Sequence, residues 1–448
     1  MPAVKGVDVA GSFYPSDPRE ILKAIAAFEE SMPLEYACQS RAVIVPHAGW
    51  AYSGCLAANT LQYLDAGAKN IFIFAPAHRT SFEGIAVGDY DGFETPLGTL
   101  ATNGDICAEL VGACGCRVFN GAFACEHAIE VQLPLLHGRF ANAKIIPLVV
   151  GDATPRRVED IIEKFWSEEN AFVISSDLSH FHSSEEAEKI DGETSAMIED
   201  CAAENFSNER ACGATSICGL IGFAARKNFA PIRVGTRNSR DATCERKSVV
   251  GYGAWMLAEK TKNRFIADNF AELTTAICRG AIEEKFDSKD SVSPAVPEVL
   301  KQHGASFVTL EIGDELRGCI GSIHAHRRLV DDLVSNAKGA AFRDSRFSPL
   351  TAEEFKKVTV KISLLSPMRR IAFCGERDLL DNIVPKVDGI VIRDGPFQAI
   401  YLPSVWQQLP DPEQFLASLK VKAGLSAAHF SSTFEAFKFS SECIQASR

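Results

Sequence analysis

Three apolar runs in the first half of this chain end in side chains that can hold a proton or a metal. "AVIVPHAGWAYSG" (42–54) delivers His47, "NIFIFAPAH" (70–78) ends in His78, and "AFVISSDLSHF" (171–181) carries Asp177 and His180. A run that is apolar at every position, not at every second one, fits a strand covered on both faces. "KIIPLVVG" (144–151) and "SVVGYGAW" (248–255) add two more. Between them "TPRRVEDIIEKFWSEE" places Val158, Ile161, Ile162 and Phe165 on one helical face. Strands alternating with helices predict an α/β domain with a central, mostly parallel sheet. In such sheets ligands gather beyond the carboxyl ends of the strands, where these polar residues fall.

A chain of 448 residues suggests two or three domains. The texture changes after about residue 259, where "AEKTKNRF" is charged and carries no strand pattern. The expected division is an α/β domain over 1–258 and an α+β domain over 264–448. The second part opens with a helix, "FAELTTAICRGAIEEKF", and a Ser/Pro-rich loop, "DSKDSVSPAVPEV". In "KVTVKISLL", Val358, Val360, Ile362 and Leu364 share one strand face. "LVDDLVSNAKGAAF" reads as a helix with Val330, Val334, Ala337 and Ala341 on one side. "GIVIRDGPFQAIYLP" reads as a hairpin with Asp394-Gly395 in positive-φ turn positions.

A net charge of −12 argues against a phosphate-neutralising surface, so nucleic acid is an unlikely partner. No apolar run approaches the roughly 20 residues needed to cross a bilayer, and the first residues lack a signal-peptide core, so a cytoplasmic location is expected. The 14 cysteines are scattered and read as reduced. Cys114 and Cys116 have no second pair at zinc-site spacing.

His47 and His78 share one syntax, an apolar strand, a proline and small neighbours, so both rings can converge at one sheet edge. Two imidazoles need only a third donor to hold a divalent ion. Each alone could equally cap a strand by hydrogen bonding. Asp177 and His180, three apart, can place an acid beside a ring for orientation or proton transfer. Ser175, Ser176 and Asp177 could instead cap a helix. In "CEHAIEVQLP", His127 can assist proton transfer, while Glu126 and Glu130 suit a helix's first turn. Trp50 and Tyr52 stand beside His47 as candidate substrate contacts.

With these residues, "AGSFYP", "VPHAGWAYSG", "APAH", "TPLG", "EHAIEVQLP", "SSDLSH", "ACG" and "SVVGY" run in order through 10–252 and resemble the Memo family. That family is similar in fold to the class III extradiol dioxygenases, which open aromatic rings with non-heme iron. The resemblance implies His47 and His78 as metal ligands, with His180, Asp177 and His127 around the pocket. It implies Fe(II), with copper or zinc as alternatives, and a small aromatic or heterocyclic substrate. For the third ligand the resemblance points to the loop "RDATCERKSVVGY". Animal relatives place a cysteine ten residues before the closing tyrosine, which here is Ala242, with Cys244 two residues on. Asp241 and Glu245 are the acidic alternatives; a carboxylate would complete a triad suited to Fe(II), and a cysteine would favour softer metals.

"LRGCIGSI", "NAKGAAFRDSRFSPL", "KISLLSP", "YLPSVW" and "FLASLKVKAGL", within 316–425, resemble the AMMECR family. The two families are commonly fused or encoded together, often beside a radical S-adenosylmethionine enzyme, which implies a shared pathway. Arg317, Cys319, Arg343, Asp344 and Arg346 form a polar cluster. In it Cys319 could act as a nucleophile and the arginines could contact an anionic substrate. A buried strand cysteine with Arg–Asp pairs fixing a loop is the competing reading. His324 and His326 read as surface residues.

Overall fold

The computed structural model describes residues 3–32, 34–204, 206–243, 246–286, 295–313 and 315–445. It divides into two compact units, Met1–Lys262 and Asn263–Arg448. Among the described residues of the first unit lies a nine-stranded sheet. Its middle strands, Ala42–Val45, Asn170–Ser175, Asn70–Pro76 and Lys144–Val150, are adjacent in that order and parallel. Ala42–Val45 and Asn170–Ser175 are buried throughout, which is why their sequences do not alternate.

Both margins are antiparallel. Val249–Ala258 runs against Ala42–Val45 and also pairs along its length with Ala230–Asn238. On the other side Ile85–Val87 runs against Lys144–Val150. The sheet is therefore mixed, with its parallel part in the centre. Val249–Ala258 is almost wholly buried, so its apolar run gives no hint of direction. Only the short link from Asn238 to Val249, too brief for a crossover helix, dictates the antiparallel turn.

Helix Pro155–Phe165 buries Val158, Ile161, Ile162 and Phe165 as predicted. It packs with helix Ala214–Lys227 in a core that includes Phe72, Phe172 and Ile174. A Cβ on Gly219 would lie 2.6 Å from that of Val158, so glycine is what lets these helices approach so closely. Because the central strands are parallel, the residues two past three of their ends share one rim. Those residues are His47, Asp177 and His78.

The second unit contains two four-stranded antiparallel sheets. One holds Glu315–Gly321, Ala305–Ile312, Val358–Leu365 and Ser441–Gln445; the other holds Arg369–Arg370, Glu435–Phe439, Gly389–Asp394 and Phe397–Tyr401. Val358, Val360, Ile362 and Leu364 are buried together as predicted. Helix Lys262–Glu283 has a kink at Phe270, and most of the Ser/Pro-rich loop, 287–294, lies outside the described residues.

Two local expectations are corrected. Helix Leu329–Phe342 buries Leu329, Leu333, Asn336, Ala337 and Ala340, while Val330 and Val334 are only half-buried. The face is rotated because Asp332 and Asn336 turn inward. Asp332 accepts from the Ser306 backbone N–H at 2.8 Å and from the Ser322 hydroxyl at 2.6 Å. In the hairpin, Asp394 pairs with Phe397 as a strand residue, so the turn is Gly395-Pro396 and only Gly395 takes positive φ, at 57°. Proline fixes its own φ near −65°, which leaves Gly395 to supply the reversal. Among the described residues, no helix is long and apolar enough to cross a membrane.

Candidate metal centre

The His47 ring is 1% exposed, and the protein dictates which nitrogen carries its proton. The Ser175 hydroxyl donates its single hydrogen to the Ala128 carbonyl at 2.7 Å. Its oxygen therefore accepts, from Gln132 Nε2 at 3.3 Å and from His47 Nδ1 at 3.0 Å. His47 is thus protonated on Nδ1 and presents a lone pair on Nε2. Gln132 also donates to the Pro46 carbonyl at 2.8 Å, locking the turn that carries the ring. Burial, then the neighbouring histidines, hold its pKa well below the ordinary value, so the ring is neutral.

His78 is set by a carboxylate. Glu126 Oε1 lies 2.9 Å from His78 Nδ1, and Oε2 accepts the His78 backbone N–H at 2.8 Å. Nδ1 donates to the acid, leaving Nε2 as the ligand nitrogen, the arrangement that orients histidines at many metal sites. The same Glu126 caps the short helix His127–Glu130 by accepting the Ala128 N–H at 3.0 Å. Burial pushes the Glu126 carboxyl up, but the hydrogen bonds from His78 and from backbone N–H groups outweigh it and keep it ionised. Glu130, by contrast, is structural. It accepts from the backbone N–H groups of Asp8 and Val9 and from the Tyr14 hydroxyl, at 2.8, 2.8 and 2.9 Å.

The cap places His127 against the other two rings. Its centroid is 4.8 Å from that of His78 and 5.3 Å from that of His47, and His47 and His78 are 5.1 Å apart. One ligand atom from each of the three lies within 4.8 Å of the others. Among the described residues this is the one group of three or more His, Cys, Asp or Glu side chains with such spacing. The donor set fits a divalent transition metal. Burial above all drops the His127 pKa to about 4, so it too is neutral, and its buried Nδ1 has no hydrogen-bond partner. Glu126→Gln is expected to weaken metal binding by about 10–100-fold, read by titration against a chelator; unchanged affinity would mean the acid does not serve the site.

Asp177 and His180 stand beside this group. Asp177 is 4% exposed and accepts the His47 backbone N–H at 2.8 Å. Burial raises its carboxyl to about 7, opposed by hydrogen bonds from the His47 and Ala48 amides. The segment before it does not cap a helix: His180–His182 is a strand paired with Val249 and Val250. The cap is Ser183, in a capping box with Glu186 ahead of helix Ser184–Glu199. His180 is half-buried, and burial first, then the charges of His78 and His182, lower its pKa.

A donor that sequence reasoning missed completes the surroundings. Cys212 Sγ lies 3.2 Å from His47 Nε2 and accepts the Asp177 backbone N–H at 3.3 Å. Burial, followed by the Asp177 charge, pushes its thiol up to about 12. It sits in the "ACG" motif, and a Cβ on Gly213 would lie 2.7 Å from that of Ser176, so glycine brings this turn against the strand end. Of the loop expected to supply the third ligand, Cys244 and Glu245 lie outside the described residues. Asp241 is exposed and its carboxylate lies 3.4 Å from the Asn238 N–H.

Trp50, expected as a substrate contact, is held in the core. It is 4% exposed, packs against Tyr14 and Phe28, and donates to the Val131 carbonyl at 3.0 Å. Tyr52, two residues on in helix Trp50–Leu61, is 44% exposed. In the second unit Arg317 is committed to Glu354, at 3.0 and 3.1 Å, and holds that carboxyl at about 2. Arg343 is the C-cap residue of helix Leu329–Phe342, its backbone N–H bonded to the Gly339 carbonyl and its guanidinium to the mid-helix Ser335 carbonyl at 3.2 Å. Arg346 binds Asp344 but remains 54% exposed. His324 and His326 are exposed, and Cys116 is a buried thiol pushed up to about 12.

Residues 6–256 match the family model described as Memo-like protein. The chain belongs to that family. Residues 275–444 match a second model, AMMECR1. A MEMO1 family protein of Thermoplasma volcanium is 30% identical over 257 residues, covering 55% of this chain and 95% of the relative. A protein of Methanocaldococcus jannaschii is 35% identical over 150 residues, 33% of this chain and 75% of its own length. A crystal structure of an uncharacterized protein from Pyrococcus horikoshii is 30% identical and covers 39% of this chain and 89% of its own, with a TM-score of 0.36. The Memo-like match spans His47, His78, His127 and Cys212.

Proposed function

We propose that the Memo-like unit is a metal-dependent, dioxygenase-like enzyme acting on a small aromatic or heterocyclic substrate. The observation that carries this reading is the convergence of three imidazoles, two of them fixed by Ser175 and Glu126 to present Nε2. His47, His78 and His127 would hold the ion, with the Cys212 sulfur adjoining. Fe(II) is the assignment, because histidines with open positions suit oxygen chemistry; copper or zinc would follow if the sulfur dominates the choice. Bound there, iron would supply a redox-active Lewis acid.

The chain's own residues prepare the rest. His180, kept neutral by partial burial, can accept a proton from a substrate hydroxyl. Asp177 fixes the backbone of His47 and, with its pKa raised to about 7, can share a proton near neutral pH. Tyr52 offers an exposed aromatic face for a planar substrate.

Protein purified without oxygen and loaded with Fe(II) is expected to bind 4-nitrocatechol with a visible absorbance change and to consume oxygen with a catechol substrate. His180→Gln should retain the metal and lose oxygen uptake by about 100-fold or more. Iron-loaded protein that neither binds the probe nor takes up oxygen would overturn the enzymatic reading in favour of a metal- or peptide-binding role.

A further inference from the structure

The second unit holds a nucleophilic side chain that the metal centre leaves unused. Cys319 is half-buried on the edge strand Glu315–Gly321. A Cβ on the preceding Gly318 would lie 2.1 Å from the Ala340 carbonyl, so that face of the strand is pressed against helix Leu329–Phe342 and the Cys319 side chain turns to the other. The loop after this helix takes the place of a missing strand neighbour. Asp344 accepts the Cys319 backbone N–H at 2.8 Å, and Arg346 donates to the Cys319 carbonyl at 3.2 Å. From the adjoining strand the Thr309 hydroxyl donates to Sγ at 3.3 Å.

Two cations face this thiol. The Arg346 guanidinium, bonded to Asp344 and to the Cys319 carbonyl, is close enough for its charge to be felt by the sulfur. Lys422, at the end of helix Pro412–Lys422, is close enough for its charge to be felt by both Cys319 and Arg346. Its ammonium donates to the Ile400 carbonyl at 2.9 Å and lies 4.8 Å over the Tyr401 ring. The first sheet thus contributes the thiol and a hydroxyl, the loop after helix Leu329–Phe342 a guanidinium, helix Pro412–Lys422 an ammonium and the second sheet an aromatic ring. Asp344 cancels part of the Arg346 charge, so Lys422 supplies the excess positive charge. After the bond to Ile400 its ammonium keeps two N–H donors for a ligand.

We propose that Cys319, Arg346 and Lys422 form a second reaction site, in which the two cations hold the carboxylate or phosphate of a small carbon electrophile against the Cys319 thiol. The sulfur bonds to the electrophilic carbon, the leaving group departs with the bonding pair, and the thiol proton passes to solvent. A cationic rim raises the local concentration of an anionic reactant and leaves a neutral one unaffected.

Alkylation rates of each cysteine in the full chain, followed by peptide mass spectrometry, test this with iodoacetate and its neutral counterpart iodoacetamide. The iodoacetate-to-iodoacetamide rate ratio at Cys319 is expected to exceed that at the exposed Cys374 by about tenfold. Inorganic phosphate should slow iodoacetate at Cys319 and leave Cys374 unchanged. Lys422→Gln, an exposed change confirmed as folded by its melting curve, should bring the Cys319 ratio down to that of Cys374. Arg346→Gln should lower it too, although that residue also holds the loop. Equal ratios at the two cysteines, a Cys319 inert to both reagents, or a preference indifferent to Lys422→Gln and phosphate would each overturn the proposal.

Discussion

Replacing His47 by alanine is expected to weaken metal binding by at least about 100-fold while leaving the first unit folded. The two effects separate because of how the ring is held. The substitution removes the Nε2 lone pair from the shared space of the three imidazoles. The backbone N–H that Asp177 accepts is still present in alanine. Ser175 keeps its hydrogen bonds to Ala128 and Gln132, so no buried hydroxyl is stranded. Metal content per chain after anaerobic purification, measured with the melting temperature of the metal-free protein, distinguishes the outcomes. Wild-type metal content in His47→Ala would show that any ion sits elsewhere and that the three rings are only a hydrogen-bonded cluster.

Trp406→Ala is expected to destabilise the second unit by about 3–5 kcal/mol, the usual cost of emptying a large aromatic site. Trp406 is 1% exposed, and its ring stacks on Phe415 with centroids 3.7 Å apart and 5° between planes. Its Nε1 donates to the Asp388 carbonyl at 2.7 Å, so truncation also strands a buried acceptor. Leu379, Ile390, Phe415 and Leu419 surround it. For a unit of this size the melting transition should fall by on the order of 10 °C. Calorimetry of the full chain would show this as a change in the transition of the second unit. An unmoved transition would mean the pocket collapses without cost. The "YLPSVW" motif thus owes its tryptophan to packing.

The central sheet was legible because its strands are buried on both faces, so their interiors are apolar, and in two of them the pattern ends sharply at a proline. The same sharp ending exposed His47 and His78. His127 was harder to place, since a histidine at the start of a short helix resembles a first-turn residue. Its position in the trio depends on Glu126 reaching 48 residues back to His78. Cys212 gave no strand-end signal at all. It meets His47 across 165 residues only because its turn docks on the Asp177 backbone. Trp50 shows a different limit: adjacency to His47 in sequence says nothing of which way a helix's first side chain turns. The arginines around Cys319 show the same limit, since spacing reveals a cluster but not which charges are already spent on Glu354, on Asp344 or on a helix carbonyl.

The hydrogen bonds that hold the first two rings come entirely from the protein. Ser175 and Glu126 fix the two rings, and the strands that precede those rings, Ala42–Val45 and Asn70–Pro76, are buried almost throughout. A site built this way would be complete before any ion is loaded, unlike small zinc domains that collapse only around their metal. Exchange of one divalent ion for another at the proposed site would then require no refolding, and the free-metal pool, more than the folding pathway, would decide which element it holds.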